Sequence, residues 1–304
     1  MNLQRIVVPP ALIEVHSDDE DARPWLDSLP DLVTTYLERW VLRVTGPAMH
    51  GGASLVLPVT RDDGTHAMLK LQPVTDETAD EAVALRLWQD LPVVRVLADD
   101  AATGTILLER LDASRPLSAL PDEPTATTIL AGLVRELTQL QAPPGMRRLG
   151  DIAGEMVEVA PDVAGELDDP TDGARVRRWA DAVAELVAEP GDRLLHWDLH
   201  YDNVLASVDR EPWVVIDPKP LAGDPAFELL PALTNRRDDL FATGDPASAI
   251  RRRFDLLLDV TGIDRARALG WTQARLLQNA LWDIEDEETA LDPHQLLVAD
   301  ALGV

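Results

Sequence analysis

The periodicity of the apolar residues changes near residue 110, and this change restricts the possible folds more than any other feature. Before that point, short apolar runs between turn residues predict strands, with one prominent helix at Thr78–Trp88. After it, helical periodicity dominates, as in Thr125–Gln141 and Ala174–Glu189. We therefore expect an α+β chain with a strand-rich N-terminal lobe at residues 1–110 and a helical C-terminal lobe at residues 111–304.

Local signals predict three further elements. A hairpin is expected between Leu55–Val59 and Ala67–Leu71, because the intervening Asp63-Gly64 is a typical turn pair. A helix is expected around Leu32–Trp40. The Pro-, Gly- and Asp-rich stretch 161–173 is expected to be a surface loop.

The composition excludes several kinds of chemistry. The 304 residues suffice for two lobes with cores of their own. There is no cysteine, which rules out disulfides, thiolate metal sites and cysteine nucleophiles. The sequence has no apolar run long enough to cross a bilayer and no signal-peptide pattern, so we expect a cytoplasmic protein.

The charge of the chain also narrows its partners. A formal net charge of −27 disfavours nucleic acid and membrane surfaces as partners. The same charge favours a cationic ligand, although solubility alone would also explain it. Lys70 and Lys219 are the only lysines among the 27 basic residues, and the others are arginines. In such a chain a lysine indicates a position where a compact ammonium is needed.

One motif points to phosphoryl transfer. His196-Trp197-Asp198-Leu199-His200-Tyr201-Asp202-Asn203 fits the pattern H-x-D-x-x-x-x-N after a short strand, and a second strand ends in Asp217. Transfer from ATP needs a carboxylate to accept the proton of the attacking hydroxyl, a role that suits Asp198. It also needs oxygen ligands for Mg²⁺, which suits Asn203 and Asp217. Taken singly, such residues are more often turn-formers or caps. A hairpin between the motif and Asp217 would bring Asp217 back beside Asn203. Because of this expected proximity, the spacing of the two residues supports a shared site.

The N-terminal lobe supplies candidates for nucleotide contacts. Lys70 lies in a predicted strand, where an inward ammonium could reach the α- and β-phosphates. Glu81, on the following helix, is the expected partner of that ammonium, and Glu77 is the competing one. The alternative is an edge lysine and a solvated glutamate.

Two further stretches are candidate ATP contacts. Gly51, Gly52 and Ser54 precede the hairpin and could present backbone N–H groups to the phosphates, although a glycine pair is more often a simple turn. Glu109 and Leu111 stand at the junction of the lobes, where extended backbone could bind an adenine edge or merely end a strand.

These residues together resemble a known family. The chain is similar to aminoglycoside phosphotransferases, most of all to the branch of streptomycin 6-kinases and hydroxyurea phosphotransferases. The resemblance extends from about residue 51 to residue 286 and rests on these segments: Leu194–His200 with Asn203, Ile216–Pro225, Ala67–Leu71, Ala84–Trp88, Leu107–Asp112 and Gln278–Asp286.

The resemblance implies a protein-kinase-like two-lobed fold that uses ATP and Mg²⁺. Asp198 would be the catalytic base, Asn203 and Asp217 the metal ligands, and Lys70 the phosphate contact. Trp197 departs from the family, which commonly has glycine there, so a bulky ring is expected beside the base, where it would alter the acceptor pocket.

The acceptor is expected to be a small cationic molecule that binds in the helical lobe. An acidic cluster near residue 285 could bind its amino or guanidinium groups, although a solvated helix end is an equally good explanation. The candidate contacts are Asp283, Trp282 as a stacking wall, Glu287 and Asp224, with Glu228 weaker.

The predicted activity is transfer of the ATP γ-phosphoryl group to an alcohol of an aminoglycoside-like, streptomycin-type acceptor. Three alternatives remain open at this point. They are a metabolite kinase for an amino sugar or amino alcohol, a non-catalytic nucleotide-binding protein of the same fold, and a metal-dependent hydrolase. The last of these leaves Lys70 and Glu81 unexplained.

Overall fold

A computed structural model describes residues 7–16, 22–208, 210 and 212–304 of the chain. The chain falls into two compact units. The first comprises residues 1–112 with 207–209, and the second comprises residues 113–206 with 210–304. Within the described part, no helix has both the length and the apolar character needed to cross a bilayer.

The first unit is built on an antiparallel sheet in the order β1-β3-β4-β6-β5, with β2 pairing with β3 as well. Its strands are β1 (Arg43–Val44), β2 (Met49–His50), β3 (Leu55–Thr60), β4 (His66–Leu71), β5 (Val96–Asp100) and β6 (Thr105–Glu109). The strands β3 and β4 form the predicted hairpin, with Leu55 opposite Leu71. Gly64 adopts φ +85° in its turn, a backbone conformation that glycine adopts without a steric penalty.

The described part of the first unit also contains the helices α1 (Pro10–Val15), α2 (Arg23–Arg39) and α3 (Glu81–Leu87). Helix α2 buries Leu29, Val33 and Tyr36 in the same apolar core as the inward residues of the sheet. This helix starts nine residues earlier than the segment around Leu32–Trp40 that was predicted. The helix predicted at Thr78–Trp88 begins only at Glu81, because the Thr78 hydroxyl donates to the carbonyl of Pro73 and holds the preceding residues in turns.

The second unit contains two small sheets. One has the order β10-β9-β7 and the other pairs β11 with β8. The strands are β7 (Asp112–Pro116), β8 (Arg193–Leu195), β9 (Val204–Ala206), β10 (Trp213–Val215) and β11 (Leu221–Gly223). Because β8 and β9 lie in different sheets, the segment between them is held at both ends.

Helices make up most of the second unit. They are α4 (Glu123–Leu137), α5 (Leu149–Val163), α6 (Pro170–Leu186), α7 (Leu229–Thr234), α8 (Arg237–Ala242), α9 (Pro246–Thr261), α10 (Arg265–Glu285) and α11 (Pro293–Leu302). Helix α10 is the longest described and buries ten of its 21 residues, among them Trp271 and Arg275. It therefore forms the centre of the unit rather than a solvated surface.

The surface loop predicted at residues 161–173 is shorter than expected and occupies only residues 164–169. Pro161 lies in the last turn of α5, and α6 already begins at Pro170. Proline is favourable at the first helical position because its missing N–H is not needed there. Asp169 caps α6 by accepting a 2.7 Å hydrogen bond from the Thr171 N–H. Proline thus starts a helix where the sequence suggested a loop.

Gly191 positions the strand that leads into the motif. Its φ is +80°, and a Cβ atom there would lie 2.6 Å from the carbonyl oxygen of Gly223 in β11. Only glycine fits a left-handed conformation against so close a backbone. The approach lets β8 pair with β11 directly before His196.

Candidate active site

The residues 196–203 form a loop between β8 and β9, and Asp198 lies in it. The loop ends in a turn of 3₁₀-helix, Tyr201–Asn203, whose tyrosine is fully buried. The Asn203 side-chain nitrogen Nδ2 donates a 2.9 Å hydrogen bond to the carbonyl oxygen of Asp198. The Asp198 side chain is about one-third exposed, at 31%. The loop is thus fixed from within while the carboxylate stays accessible.

Asp217 is brought to this loop by the hairpin β9–β10, as predicted. Val215 pairs with Val204, and the Ile216 N–H donates to the carbonyl oxygen of Asn203 at 2.9 Å. Asp217 itself has φ +61°, a left-handed conformation that is uncommon outside glycine and that aspartate adopts more readily than most residues. Unusual backbone conformations of this kind are often found at functional sites.

The buried His196 ring connects the loop 196–203 to the segment that carries Asp217. Its Nε2 lies 2.9 Å from the carbonyl oxygen of Ile216, and its Nδ1 accepts from the Asp198 N–H at 3.3 Å. Burial lowers the pKa of His196 to about 4. The ring is therefore neutral near pH 7, with Nε2–H as donor and Nδ1 as acceptor. This arrangement braces the loop.

The donor atoms of Asn203 and Asp217 suit Mg²⁺. Because Nδ2 of Asn203 is used in the bond to Asp198, its free side-chain ligand is the oxygen Oδ1. Asp217 adds a carboxylate, and oxygen ligands of this kind are what Mg²⁺ prefers. The described residues contain no cluster of three or more His, Cys, Asp or Glu side chains able to hold a metal. Two protein ligands fit an ion whose other ligands are phosphate oxygens and water.

Glu228 holds the backbone of the loop. Its Oε1 accepts a 2.8 Å hydrogen bond from the N–H of Trp197, which has φ +67°. Glu228 is 1% exposed, and burial raises the pKa of its carboxyl group to about 7. At the next peptide group, the Arg275 guanidinium donates to the Trp197 carbonyl at 3.3 Å. Two side chains thus hold the residue before Asp198 in its strained conformation.

A cavity of about 320 Å³ opens beside Asp198 within the second unit. Its walls come from the loop, from α7 and the residue after it, and from α10, and include Asp198, His200, Pro231, Asn235, Arg275 and Trp282. The His200 Nε2 lies 4.0 Å from Oδ1 of Asp198. A small molecule in this cavity would meet both the predicted base Asp198 and the side chain of Trp282.

Among the predicted acceptor contacts, Trp282 is part of the cavity wall and is 38% exposed. Asp283 and Glu287 lie at the end of α10 and are not in that wall. Burial, together with nearby acidic groups, raises the pKa of the Asp283 carboxyl. Asp224 caps Ala226 and pairs with Arg267, a role in the fold that does not support the predicted acceptor contact.

The first unit contains the predicted ion pair of Lys70 and Glu81. Both residues are buried, and the Lys70 Nζ lies 2.9 and 2.7 Å from the two carboxylate oxygens of Glu81. Gln72 donates to the same carboxylate at 2.6 Å. Glu81 is the first residue of α3 rather than an interior one, whereas the competing Glu77 precedes the helix.

The other predicted nucleotide contacts also lie in the first unit. The residues Gly51, Gly52 and Ser54 make a tight turn between β2 and β3, closed by a 2.9 Å bond from the Gly51 N–H to the Ser54 carbonyl. Glu109 ends β6, and its N–H donates to the Arg95 carbonyl at 3.0 Å. Leu111 follows that strand and is buried.

Sequence reasoning missed two residues that shape the site. Arg275 was not singled out, although an arginine among the buried positions of a helix with two tryptophans is itself a signal. Glu228 was considered only as a weak acceptor contact, but it lies beneath the loop. Both contact Trp197 from elements far along the chain, which periodicity does not reveal.

The chain also matches a known protein family and individual relatives. Residues 39–287 match the family of aminoglycoside/hydroxyurea antibiotic resistance kinases. A streptomycin 6-kinase of Streptomyces glaucescens is 53% identical over 99% of this chain and 97% of its own length. A hydroxyurea phosphotransferase of Kitasatospora aureofaciens is 51% identical over 98% of this chain and 86% of its own length.

The fold has solved counterparts as well. The crystal structure of the aminoglycoside phosphotransferase APH(4)-Ia matches with a TM-score of 0.60 at 15% identity, over 90% of this chain and 97% of that one. This likeness confirms the predicted kinase-like fold, and the relatives confirm the prediction of a phosphotransferase. The chain belongs to the family of aminoglycoside/hydroxyurea antibiotic resistance kinases.

Proposed function

We propose that this protein transfers the γ-phosphoryl group of ATP to a hydroxyl group of a streptomycin-type aminoglycoside. The observation that carries the proposal is the accessible Asp198 carboxylate in the wall of a cavity, on a loop that Asn203 holds from within. The 53% identity to a streptomycin 6-kinase over nearly the whole chain supports the choice of acceptor. The net charge of −27 is in keeping with a cationic acceptor.

In the proposed reaction, the acceptor hydroxyl lies in the cavity beside Asp198. Its oxygen attacks the γ-phosphorus and forms a new P–O bond, while the bond between the γ-phosphorus and the bridging oxygen breaks and its electron pair leaves with ADP. The hydroxyl proton passes to the Asp198 carboxylate. Alignment of the two reactants can contribute about 7–11 kcal/mol of the barrier reduction.

The remaining site residues have supporting roles in this proposal. Asn203 and Asp217 would hold Mg²⁺, which neutralises charge on the β- and γ-phosphates when bound. Lys70, oriented by Glu81, would contact the phosphates. The turn of Gly51, Gly52 and Ser54 is the proposed phosphate cover, and the backbone at Glu109 and Leu111 the adenine contact. The need for ATP makes the cytoplasm the proposed location.

A second candidate acceptor is hydroxyurea. The 51% identity to a hydroxyurea phosphotransferase is nearly as high as that to the streptomycin kinase, so identity alone does not separate the two. A metabolite kinase for an amino sugar or amino alcohol is the further alternative. All of these reactions would use the same base, and they differ in what fills the cavity.

The test is a panel of acceptors with purified protein, ATP and Mg²⁺. ADP release is followed with streptomycin, hydroxyurea, an amino sugar and an amino alcohol, and products are identified by mass. We expect streptomycin to gain one phosphoryl group. The Asp198→Asn variant is the control, and it should lose about 10²–10⁴-fold in turnover while still binding ATP. If the protein phosphorylates one of the other acceptors and does not phosphorylate streptomycin, the proposed acceptor is disproved.

A further inference from the structure

We propose that Trp197 determines acceptor specificity by supporting the cavity wall from behind. This inference rests on the proposed function and identifies a residue that acts through another, since Trp197 does not itself line the cavity among the described residues. Its side chain is buried, with 2% of the residue exposed. The bulky ring expected beside the base therefore lies behind the pocket and not in it.

The ring of Trp197 packs against the aromatic wall of the cavity. Its centroid is 6.1 Å from that of Trp282, with an angle of 31° between the planes, and 6.5 Å from that of Phe227. Trp282 lines the cavity, is 38% exposed and has Trp197 as its aromatic neighbour. Aromatic rings at such centroid distances attract each other beyond the effect of the apolar area that they bury. The position of the wall thus depends on the ring behind it.

Two guanidinium groups fix the ring in place. The Cζ of Arg147 lies 3.8 Å from the centroid of the Trp197 ring, and the Cζ of Arg275 lies 5.1 Å from it. Arg275 also lies 5.6 Å from the Trp282 ring and is itself part of the cavity wall. Cations over an indole face within about 6 Å are attracted to it, most strongly in desolvated positions. Arg147, Trp197 and Trp282 therefore form a continuous stack that ends at the cavity wall.

The main chain and the ring of Trp197 make different contacts, and Arg275 takes part in both. Its N–H is bound by Glu228 and its carbonyl by Arg275, and both contacts involve only main-chain atoms of the residue. Its φ of +67° is a conformation that glycine adopts without penalty. Glycine at this position would therefore keep the loop that carries Asp198 and remove the support of Trp282.

Loss of the ring should change acceptor discrimination more than phosphoryl transfer. A void the size of an indole would let Trp282 withdraw from the cavity, because a wall without packing behind it does not keep its position. A bulky acceptor that needs an ordered wall would lose binding. A very small acceptor would be affected little. Nucleotide binding would stay as it is.

The experiment compares streptomycin and hydroxyurea, a bulky and a very small acceptor, in the full-length protein. The variants are Trp197→Gly, Trp197→Phe and Trp282→Ala. The control is Trp179→Phe, a buried tryptophan of α6. For each protein, KM for ATP, KM for both acceptors and kcat are measured.

We expect Trp197→Gly to lower the ratio of kcat/KM for streptomycin to kcat/KM for hydroxyurea by about tenfold or more. KM for ATP should stay within about twofold of the wild-type value. Trp282→Ala should shift the ratio in the same direction. Trp197→Phe should shift it less, since a ring remains, and Trp179→Phe should leave it unchanged.

The outcomes separate the two proposals. If the wild type phosphorylates streptomycin and Trp197→Gly keeps the wild-type ratio, the role of Trp197 is disproved and the proposed function stands. If Trp197→Gly does not fold, an unchanged ratio in Trp282→Ala disproves it instead. A wild type inactive on both acceptors disproves the proposed function, and this inference with it.

Discussion

The side-chain amide of Asn203 donates a 2.9 Å hydrogen bond to the main-chain carbonyl of Asp198. One residue thus holds the backbone of the predicted base through its Nδ2 and keeps its Oδ1 for the predicted role as a metal ligand. Because the two residues are coupled, a change at Asn203 should affect both proton acceptance and the requirement for Mg²⁺.

We expect Asn203→Ala to lower kcat by about 10²-fold, since small misplacements of a catalytic group can cost that much. Asn203→Asp keeps an oxygen ligand but loses the donor to Asp198. The Mg²⁺ concentration that Asn203→Asp requires for activity should therefore be closer to the wild-type value than the concentration that Asn203→Ala requires. Mg²⁺ titrations of initial rates provide the measurement, and identical Mg²⁺ curves for the two variants would contradict the assignment.

The buried pair of Lys70 and Glu81 should be costly to disrupt. Glu81→Gln removes the negative charge that faces the buried Lys70 ammonium, and loss of one partner in a buried pair costs about 3–5 kcal/mol. The matched control is Arg61→Gln, which breaks an exposed pair with Asp63 at 3.2 Å and should cost less than about 1 kcal/mol. Urea unfolding gives both values, and equal losses would argue against a buried, desolvated pair.

Glu228 should make the stability of the protein depend on pH. Its folded pKa is about 7, above the ordinary 4.5, because burial penalises the carboxylate. Between these values the folded protein binds more protons than the unfolded chain, so the free energy of unfolding falls as pH rises through this window. The contribution of this group is at most on the order of 3 kcal/mol.

The Glu228→Gln variant removes that titration and keeps an oxygen acceptor for the Trp197 N–H. As the pH is raised from 5 to 8, we therefore expect the unfolding free energy of the wild type to fall relative to that of the variant. Burial lowers the pKa of His196 to about 4, which makes stability rise with pH between about 4 and 6.5, but this effect is common to both proteins. A difference independent of pH would contradict the raised pKa of Glu228.

Gly191 should be far less tolerant of alanine than Gly244, a glycine that also has positive φ but lies in open space. Gly191→Ala adds both left-handed strain and a 2.6 Å approach to the Gly223 carbonyl, so a loss above about 2 kcal/mol is expected. Gly244 has φ +75° and open space around it, so Gly244→Ala should cost only the strain of about 1–2 kcal/mol. Thermal and urea unfolding of the two variants check the order.

The sequence alone predicted those parts of the fold and the site that depend on residues close to one another in the chain. The hairpin β3–β4 follows from its turn pair, and the hairpin β9–β10 returns Asp217 to Asn203. Lys70 stood out because lysine is so rare in this chain, and its pair with Glu81 is present. These relationships join residues close in sequence, so strand pairing and spacing are enough to predict them.

Only the tertiary structure decided what surrounds Asp198. Glu228 reaches Trp197 across 31 positions of the chain, and Arg275 reaches it across 78. The acidic cluster at the end of α10 looked like the acceptor site, yet the cavity wall there contains Trp282 and Arg275. Which face of α10 is buried depends on its packing against other helices, and local periodicity carries no information about partners so distant in sequence.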